Sequence, residues 1–256
     1  MKILVIHGSM RKGKTHALTK EIMDRIEAKG GVGFVEFNVA DLRLPFCTSC
    51  HICFSTGEEY CPNAGYLQDL LAALNECDGI IVSGTTYLWS LNAAMKNLLD
   101  HFAYAAHRPF LYGKRGMVIT TSKGNGEKRA AKYIMTILGQ WGVNGAVLVT
   151  QNAKQEQLVS PRRIKQRLDR LADRFNGLLR SKKQIQPSLR SISVQNAFRA
   201  MALSEFSEFK KDTEYWEKEE NNRAYPYRVG IKYAVGAAVF SVASFAAKFI
   251  GRKIKH

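Results

Sequence analysis

No apolar run in the chain is long enough to cross a bilayer comfortably. Between Lys232 and Lys248 lie 15 uncharged residues, where a spanning helix needs about 20, so a span would require the flanking lysines to snorkel. The N-terminus lacks the charged, apolar and small-residue order of a secretory signal, and the expected location is the cytoplasm. There is no G-x-G-x-x-G and no G-x-x-x-x-G-K-[ST], so neither the dinucleotide fingerprint nor the nucleoside-triphosphatase loop is present. Zinc-finger, homeodomain and RNA-recognition signatures are absent, and the aromatics are not interleaved with the cations, which argues against nucleic acid as a partner. Acidic residues are scarce, 22 against 38 Lys and Arg in 256 residues, for a net charge of +16. The imbalance is local: residues 1–150 carry 16 basic and 12 acidic side chains, residues 151–256 carry 22 and 10. Five cysteines, four clustered and one alone, do not form a disulfide framework.

What is present begins at Met1–Leu18. Ile3–Ile6 is apolar at every position, as a strand buried on both faces of a parallel sheet should be. Leu18, Ile22, Met23 and Ile26 then recur at helical spacing. Between strand and helix, Ser9, Arg11, Lys12, Gly13, Lys14, Thr15 and His16 offer hydroxyls, cations and free backbone N–H groups at a helix N-terminus, where the peptide dipoles favour an anion. With neither nucleotide fingerprint present, a monophosphate fits best.

Further strands are predicted at Val32–Val39, Gly79–Ser83, Arg115–Thr121 and Gly145–Thr150, alternating with helices at Tyr66–Leu74, Asn92 to about Phe102, after Gly126 to about Trp141, and Arg162–Leu179. Alternation at this spacing implies right-handed βαβ units and a five-stranded parallel sheet covered on both faces. Ligands of such sheets sit beyond the carboxyl ends of the strands. Three loops converge there: Ser9–His16; Thr85, Thr86, Tyr87, Leu88, Trp89 and Ser90; and Thr121, Ser122, Lys123, Gly124, Asn125 and Gly126. The first suits a phosphate, the second carries flat rings at Tyr87 and Trp89, and the third brings backbone close to a ligand edge. A phosphate tail and a planar heteroaromatic head describe flavin mononucleotide (FMN).

The segments G-S-M-R-K-G-K-T, C-x2-C-x2-C-x7-C and T-T-Y-L-W-S-L-N-A-A-M-K-N-L-L-D-H-F, in that order within residues 1–175, resemble the flavodoxin-like NAD(P)H-dependent FMN reductases, particularly their iron–sulfur flavoprotein branch. The resemblance implies an α/β flavodoxin-like, doubly wound sheet of strand order 2-1-3-4-5. It implies Ser9, Arg11, Lys14, Thr15 and His16 at the flavin phosphate, Thr85–Ser90 along the isoalloxazine, and Ser122–Gly126 at its other edge. Two departures stand out: Met10 where proline is usual, and Thr85 where Pro-Val-Tyr is usual.

Cys47, Cys50, Cys53 and Cys61 are candidate ligands of a [4Fe-4S] cluster, three cysteines wrapping one face and the fourth closing it. A metal-free thiol loop and a four-thiolate zinc site are the other readings of this spacing. Cys77, alone at an apolar helix end, reads as a small buried hydrophobe.

The flavodoxin-like pattern is expected over 1–182, with the cysteine-rich loop at 45–63, and a basic helical extension over 183–256. That extension holds predicted helices at Ser193–Phe209 and Asp212–Asn222 and an apolar one within Val229–Ile250. The small residues of the last suit packing between protomers of a homodimer or homotetramer, or peripheral contact with a membrane. The expected function is transfer of electrons from NAD(P)H through FMN to a quinone, flavin or protein acceptor. An electron carrier without nicotinamide activity and a membrane-surface redox adaptor are the alternatives. No catalytic acid or base is nominated, because the protein's part in such chemistry is positioning.

Overall fold

In a computed structural model the described residues are 1–227 and 229–254, with side chains to residue 247. Five parallel strands, β1 (Lys2–His7), β2 (Gly33–Asn38), β3 (Gly79–Tyr87), β4 (Arg115–Ser122) and β5 (Ala146–Asn152), form a sheet of order 2-1-3-4-5. A sixth, two-residue strand, Ser90–Leu91, adds to the expected five: β3 continues past Ser83 and folds back on itself, pairing Thr86 with Leu91 and Tyr87 with Ser90.

Both faces of the sheet are covered, and the period-2 alternation of side chains divides the core in two. Ile3, Val5, Ile81, Met117, Ile119, Val147 and Val149 pack against α1 (Lys14–Glu27) and α5 (Pro161–Arg180) through Leu18, Ile22, Ile26, Leu168 and Phe175. Leu4, Ile6, Ile80, Val82 and Val118 face the other way, onto α2 (Gln68–Glu76), α3 (Ala93–His101) and α4 (Glu127–Gln140). Each such side chain removed from water contributes about 1.5–3 kcal/mol. Parallel register brings the strands' carboxyl ends level, His7 beside Ser83 and Thr85 beside Thr121.

The extension contains α6 (Leu189–Ala202), α7 (Lys210–Glu217) and α8 (Ile231–Ile254). The first two are shorter than periodicity predicted. The chain turns after Ala202, whose carbonyl accepts a bond from the Thr213 hydroxyl at 2.7 Å. Gly236 lets α8 settle onto α6, since a Cβ there would lie 2.8 Å from both Asn196 Nδ2 and Ile192 Cγ2. The Arg199 guanidinium stacks 3.9 Å over the Phe240 ring. Among the described residues no helix is long and apolar enough to cross a membrane.

The extension is fastened to the body at α7. Trp216 Nε1 donates to the His107 carbonyl at 2.9 Å and the Tyr215 hydroxyl to that of Pro109 at 2.6 Å. The buried Asp212 carboxylate pairs with His107 Nδ1 at 2.6 Å and with the Arg108 guanidinium. Arg108, itself buried, also donates at 2.7 Å to both Glu58 and the Cys53 carbonyl. Removing one partner of a buried ion pair strands the other, at a cost of about 3–5 kcal/mol. Asp212→Ala is therefore expected to lower unfolding stability by about 3 kcal/mol, read as a drop in the urea midpoint. A midpoint unchanged from wild type would show that Arg108 does not depend on this carboxylate.

Candidate active site

The carboxyl ends of β1, β3 and β4 are joined by a chain of hydroxyls. Thr15 Oγ1 lies 2.8 Å from Thr85 Oγ1 and 2.6 Å from Thr121 Oγ1, and Ser9 Oγ lies 2.8 Å from Thr85 Oγ1. The three loops predicted to converge are thus held together by side-chain bonds. Thr15 sits in the first turn of α1 yet turns its hydroxyl toward β3 and β4. Gly13 occupies the N-cap and supplies no side-chain bond, so the N–H groups of Lys14, Thr15 and His16 are left without intrahelical acceptors. Arg11, Lys12 and Lys14 stand exposed around this helix end. Open N–H donors, a dipole and three cations form an anion cradle.

Gly8 and Asn92 shape the cradle, and motif reading passed over both. A Cβ on Gly8 would lie 2.6 Å from the Ser83 carbonyl and 2.9 Å from Met95 Sδ. The Gly8 N–H donates to that carbonyl at 2.7 Å, and the Asn92 side chain donates to the Gly8 carbonyl. The same Asn92 caps α3, accepting from the Met95 N–H at 2.9 Å. Asn immediately before a helical pattern is the signal that marks such a cap.

The second loop is a two-residue hairpin. Leu88 and Trp89 have φ of 46° and 68°, the left-handed pair that a tight hairpin requires and that Asn and Gly usually supply. Tyr87, Leu88 and Trp89 are 51, 96 and 58% exposed, so two flat rings stand in the open beside the cradle. The Thr86 hydroxyl is buried without a partner among the described residues. In the third loop Gly126, at φ 99°, abuts this hairpin, and a Cβ there would lie 2.8 Å from Trp89 Cα. Lys123 and Gly124 are exposed. Ser122 is committed elsewhere, donating to the Glu127 carboxylate at 2.6 Å, and Asn152 holds the Gly124 carbonyl.

At the first loop's far side, the buried His7 bonds to Glu36 through Nε2 at 2.8 Å, its Nδ1 has no partner among the described residues, and its ring lies 4.6 Å from that of His16. Burial, the neighbouring His7 and the Lys12 and Lys20 ammoniums lower the His16 pKa, against the pull of Glu36.

The cysteine loop is pinned to α3. Asn97 donates to the Leu44 and Pro45 carbonyls at 3.1 and 3.0 Å and accepts from the Cys47 N–H at 3.0 Å. Asn63 bonds His101 at 3.2 Å. Ser49 and His51 adopt φ of 55° and 62°, turning the chain sharply on either side of Cys50. Cys47 and Cys50 are exposed, Cys53 and Cys61 half-buried. Burial pushes the Cys53 thiol up to about 11, with Arg108 opposing. Among the described residues no group of three or more His, Cys, Asp or Glu side chains is gathered as a metal site. Four thiols suit a cluster by type and number, and Cys53 lies within electrostatic reach of Cys47, Cys50 and Cys61. Cys77 is buried as expected, its thiol facing the Leu74 carbonyl.

Two outcomes test this geometry. Thr15→Val removes the hydroxyl shared by Thr85 and Thr121 and is expected to cost about 1–3 kcal/mol in chemical denaturation, and Ser9→Ala less. A folded-state pKa below the unfolded value of about 6.5 means that the unfolded chain binds His16's proton more readily. This group's contribution to stability is therefore present above that pH and declines as pH falls through it toward the folded value. His16→Gln should show a smaller drop in urea midpoint than wild type between about pH 8 and 5.

The sequence profile of the NADPH-dependent FMN reductases matches residues 1–155. An iron–sulfur flavoprotein of Archaeoglobus fulgidus is 25% identical over 226 residues, 85% of this chain and 98% of that protein. An FMN-dependent NADH:quinone oxidoreductase of Shewanella amazonensis is 31% identical over 117 residues, 40% of this chain and 60% of that protein. Among solved structures, an azoreductase from Bacillus anthracis superposes with TM-score 0.56 at 15% identity, covering 69% of this chain and 99% of that one. An NADH:FMN oxidoreductase in its apo form gives 0.54 at 22%, covering 71% and 91%. These two likenesses are to the fold. With its profile matched over more than half of the sequence, and with an anion cradle and exposed rings at the carboxyl edge of a 2-1-3-4-5 sheet, the chain belongs to the NADPH-dependent FMN reductase family and is an NAD(P)H-dependent flavin oxidoreductase.

Proposed function

We propose that the three joined loops hold FMN and that the enzyme passes electrons from NAD(P)H to a quinone, flavin or protein acceptor. The observation that carries this reading is the uncapped start of α1, tied through Thr15 to Thr85 and Thr121. The donors fit the group: a phosphate dianion meets the N–H groups of Lys14, Thr15 and His16, the Ser9 hydroxyl and the cations of Arg11 and Lys14. Thr85 and the unpartnered Thr86 hydroxyl line the way from the phosphate to the ring system. Tyr87 and Trp89 offer flat surfaces to the isoalloxazine, with Leu88 and Ser90 completing their hairpin. Thr121, Lys123, Gly124 and Gly126 form the opposite edge, while Ser122 supports that loop through Glu127. When bound, FMN supplies hydride acceptance and onward transfer of electrons singly or in pairs. The exposure of the hairpin rings leaves one side of the site open to a nicotinamide.

Cys47, Cys50, Cys53 and Cys61 are our proposed ligands for a [4Fe-4S] cluster, supported by their spacing and by the iron–sulfur flavoprotein name of a relative that matches almost end to end. Electron transfer is derived from the flavin site alone.

Anaerobic purification followed by flavin, iron and sulfide determination separates the two assignments. One FMN per chain with about four irons and four sulfides supports both, whereas FMN without iron retains the flavin site and removes the cluster. Lys14→Glu is expected to weaken FMN binding by about tenfold or more, measured by fluorescence titration. Unchanged affinity would place the phosphate elsewhere.

A further inference from the structure

We propose that the outer face of α8 lies on an anionic lipid surface. This helix is apolar on two sides. One side, at Gly236, Phe240, Ala243 and Ala247, is turned to α6 and the cavity beside it. On the other side Ile231, Val235, Val242 and Phe245 are 85, 36, 70 and 74% exposed. Steps of four, seven and three residues keep these four on a single stripe at 3.6 residues per turn, about 21 Å long at 1.5 Å per residue. Water gains nothing from a Phe and three β-branched side chains held out in a row, and a contiguous apolar face of this kind marks an interaction surface.

Charge identifies the occupant. The 36 residues from Asn221 onward carry seven Lys and Arg and no Asp or Glu. Four of them, Lys248, Arg252, Lys253 and Lys255, follow the stripe directly in sequence. An apolar stripe joined to cations is the composition of a helix that lies in the interface, its apolar face sunk about 5–10 Å among the headgroups. Each Lys or Arg near an anionic leaflet strengthens partition by about fivefold. A second copy of the chain brings to this surface only the same cations. The helix does not meet the requirements of a span, so the contact is one of lying on the bilayer, anchored from behind by α6. This inference stands apart from the flavin assignment.

The test is flotation of the FMN-loaded full chain with vesicles of phosphatidylcholine alone or mixed at about 3:1 with phosphatidylglycerol. The wild-type chain is expected to float at least about tenfold better with the anionic vesicles, and to be released as salt rises from about 0.1 to 0.5 M. Val242→Glu with Phe245→Glu alters only exposed positions and should abolish flotation while FMN content, far-UV circular dichroism and the mass by light scattering stay unchanged. Phe245→Ser alone provides a milder variant expected to lose part of the binding. Three results overturn the proposal: wild type that stays at the bottom of the gradient, equal flotation with neutral vesicles, or a double variant whose mass falls to a smaller oligomer, which would make the occupant a second copy.

Discussion

Everything at the active edge depends on the parallel register of β3 against β4. Because Thr85 stands beside Thr121, a single hydroxyl at Thr15 can reach both, and the start of α1 is fixed relative to two strands at once. A one-residue slip would turn each threonine to the opposite face. Register is in turn enforced by the two cores, where Ile81 and Met117 pack on one side and Ile80 and Val118 on the other. The anion cradle is therefore a by-product of a sheet buried on both faces. Its open N–H groups persist because the N-cap position is Gly13, which has no side chain to offer them.

The second organising contact is the buried Arg108. Its guanidinium joins Asp212 of the extension to Glu58 and the Cys53 carbonyl of the cysteine loop, so the segment beyond the flavodoxin-like sheet braces the loop that carries the thiols. Aromatic packing follows the same line: Phe54 lies 5.1 Å from Phe209 and 4.6 Å from His107, whose ring stacks on Phe198 at 3.8 Å. The loops at the strands' carboxyl edge and the cysteine loop thus both rest on α3, the first tied by Asn92 and the second by Asn97 and His101.

The parts legible in sequence were those governed by short-range rules. Ile3–Ile6 and Gly79–Ser83 read as doubly buried strands because no polar residue interrupts them, and α5 showed its apolar stripe at helical spacing. Boundaries in the extension were less legible. The helix begun at Leu189 stops at Ala202 although apolar residues continue, because Thr213 and the α7 contacts draw the chain aside. The hairpin at Leu88–Trp89 was hidden, since neither residue belongs to the Gly and Asn set that announces left-handed turns. Ser122 was assigned to the ligand edge by its place in the loop, and its bond to Glu127 became visible only with α4 in position.

Periodicity and composition by themselves determined the parallel α/β fold class and the cationic tail, and placed hydroxyls and cations together at Ser9–His16, because each is encoded in residues close together in the chain, while the strand order was implied by the family resemblance. Tertiary structure decided which hydroxyls meet, that Asn92 and Gly8 shape the cradle, that Arg108 links the extension to the cysteine loop, and which face of α8 is left bare. Those outcomes join residues up to 106 positions apart, as Thr15 and Thr121 are. A contact at that separation is set by the packing of sheet and helices together, and no local pattern encodes it.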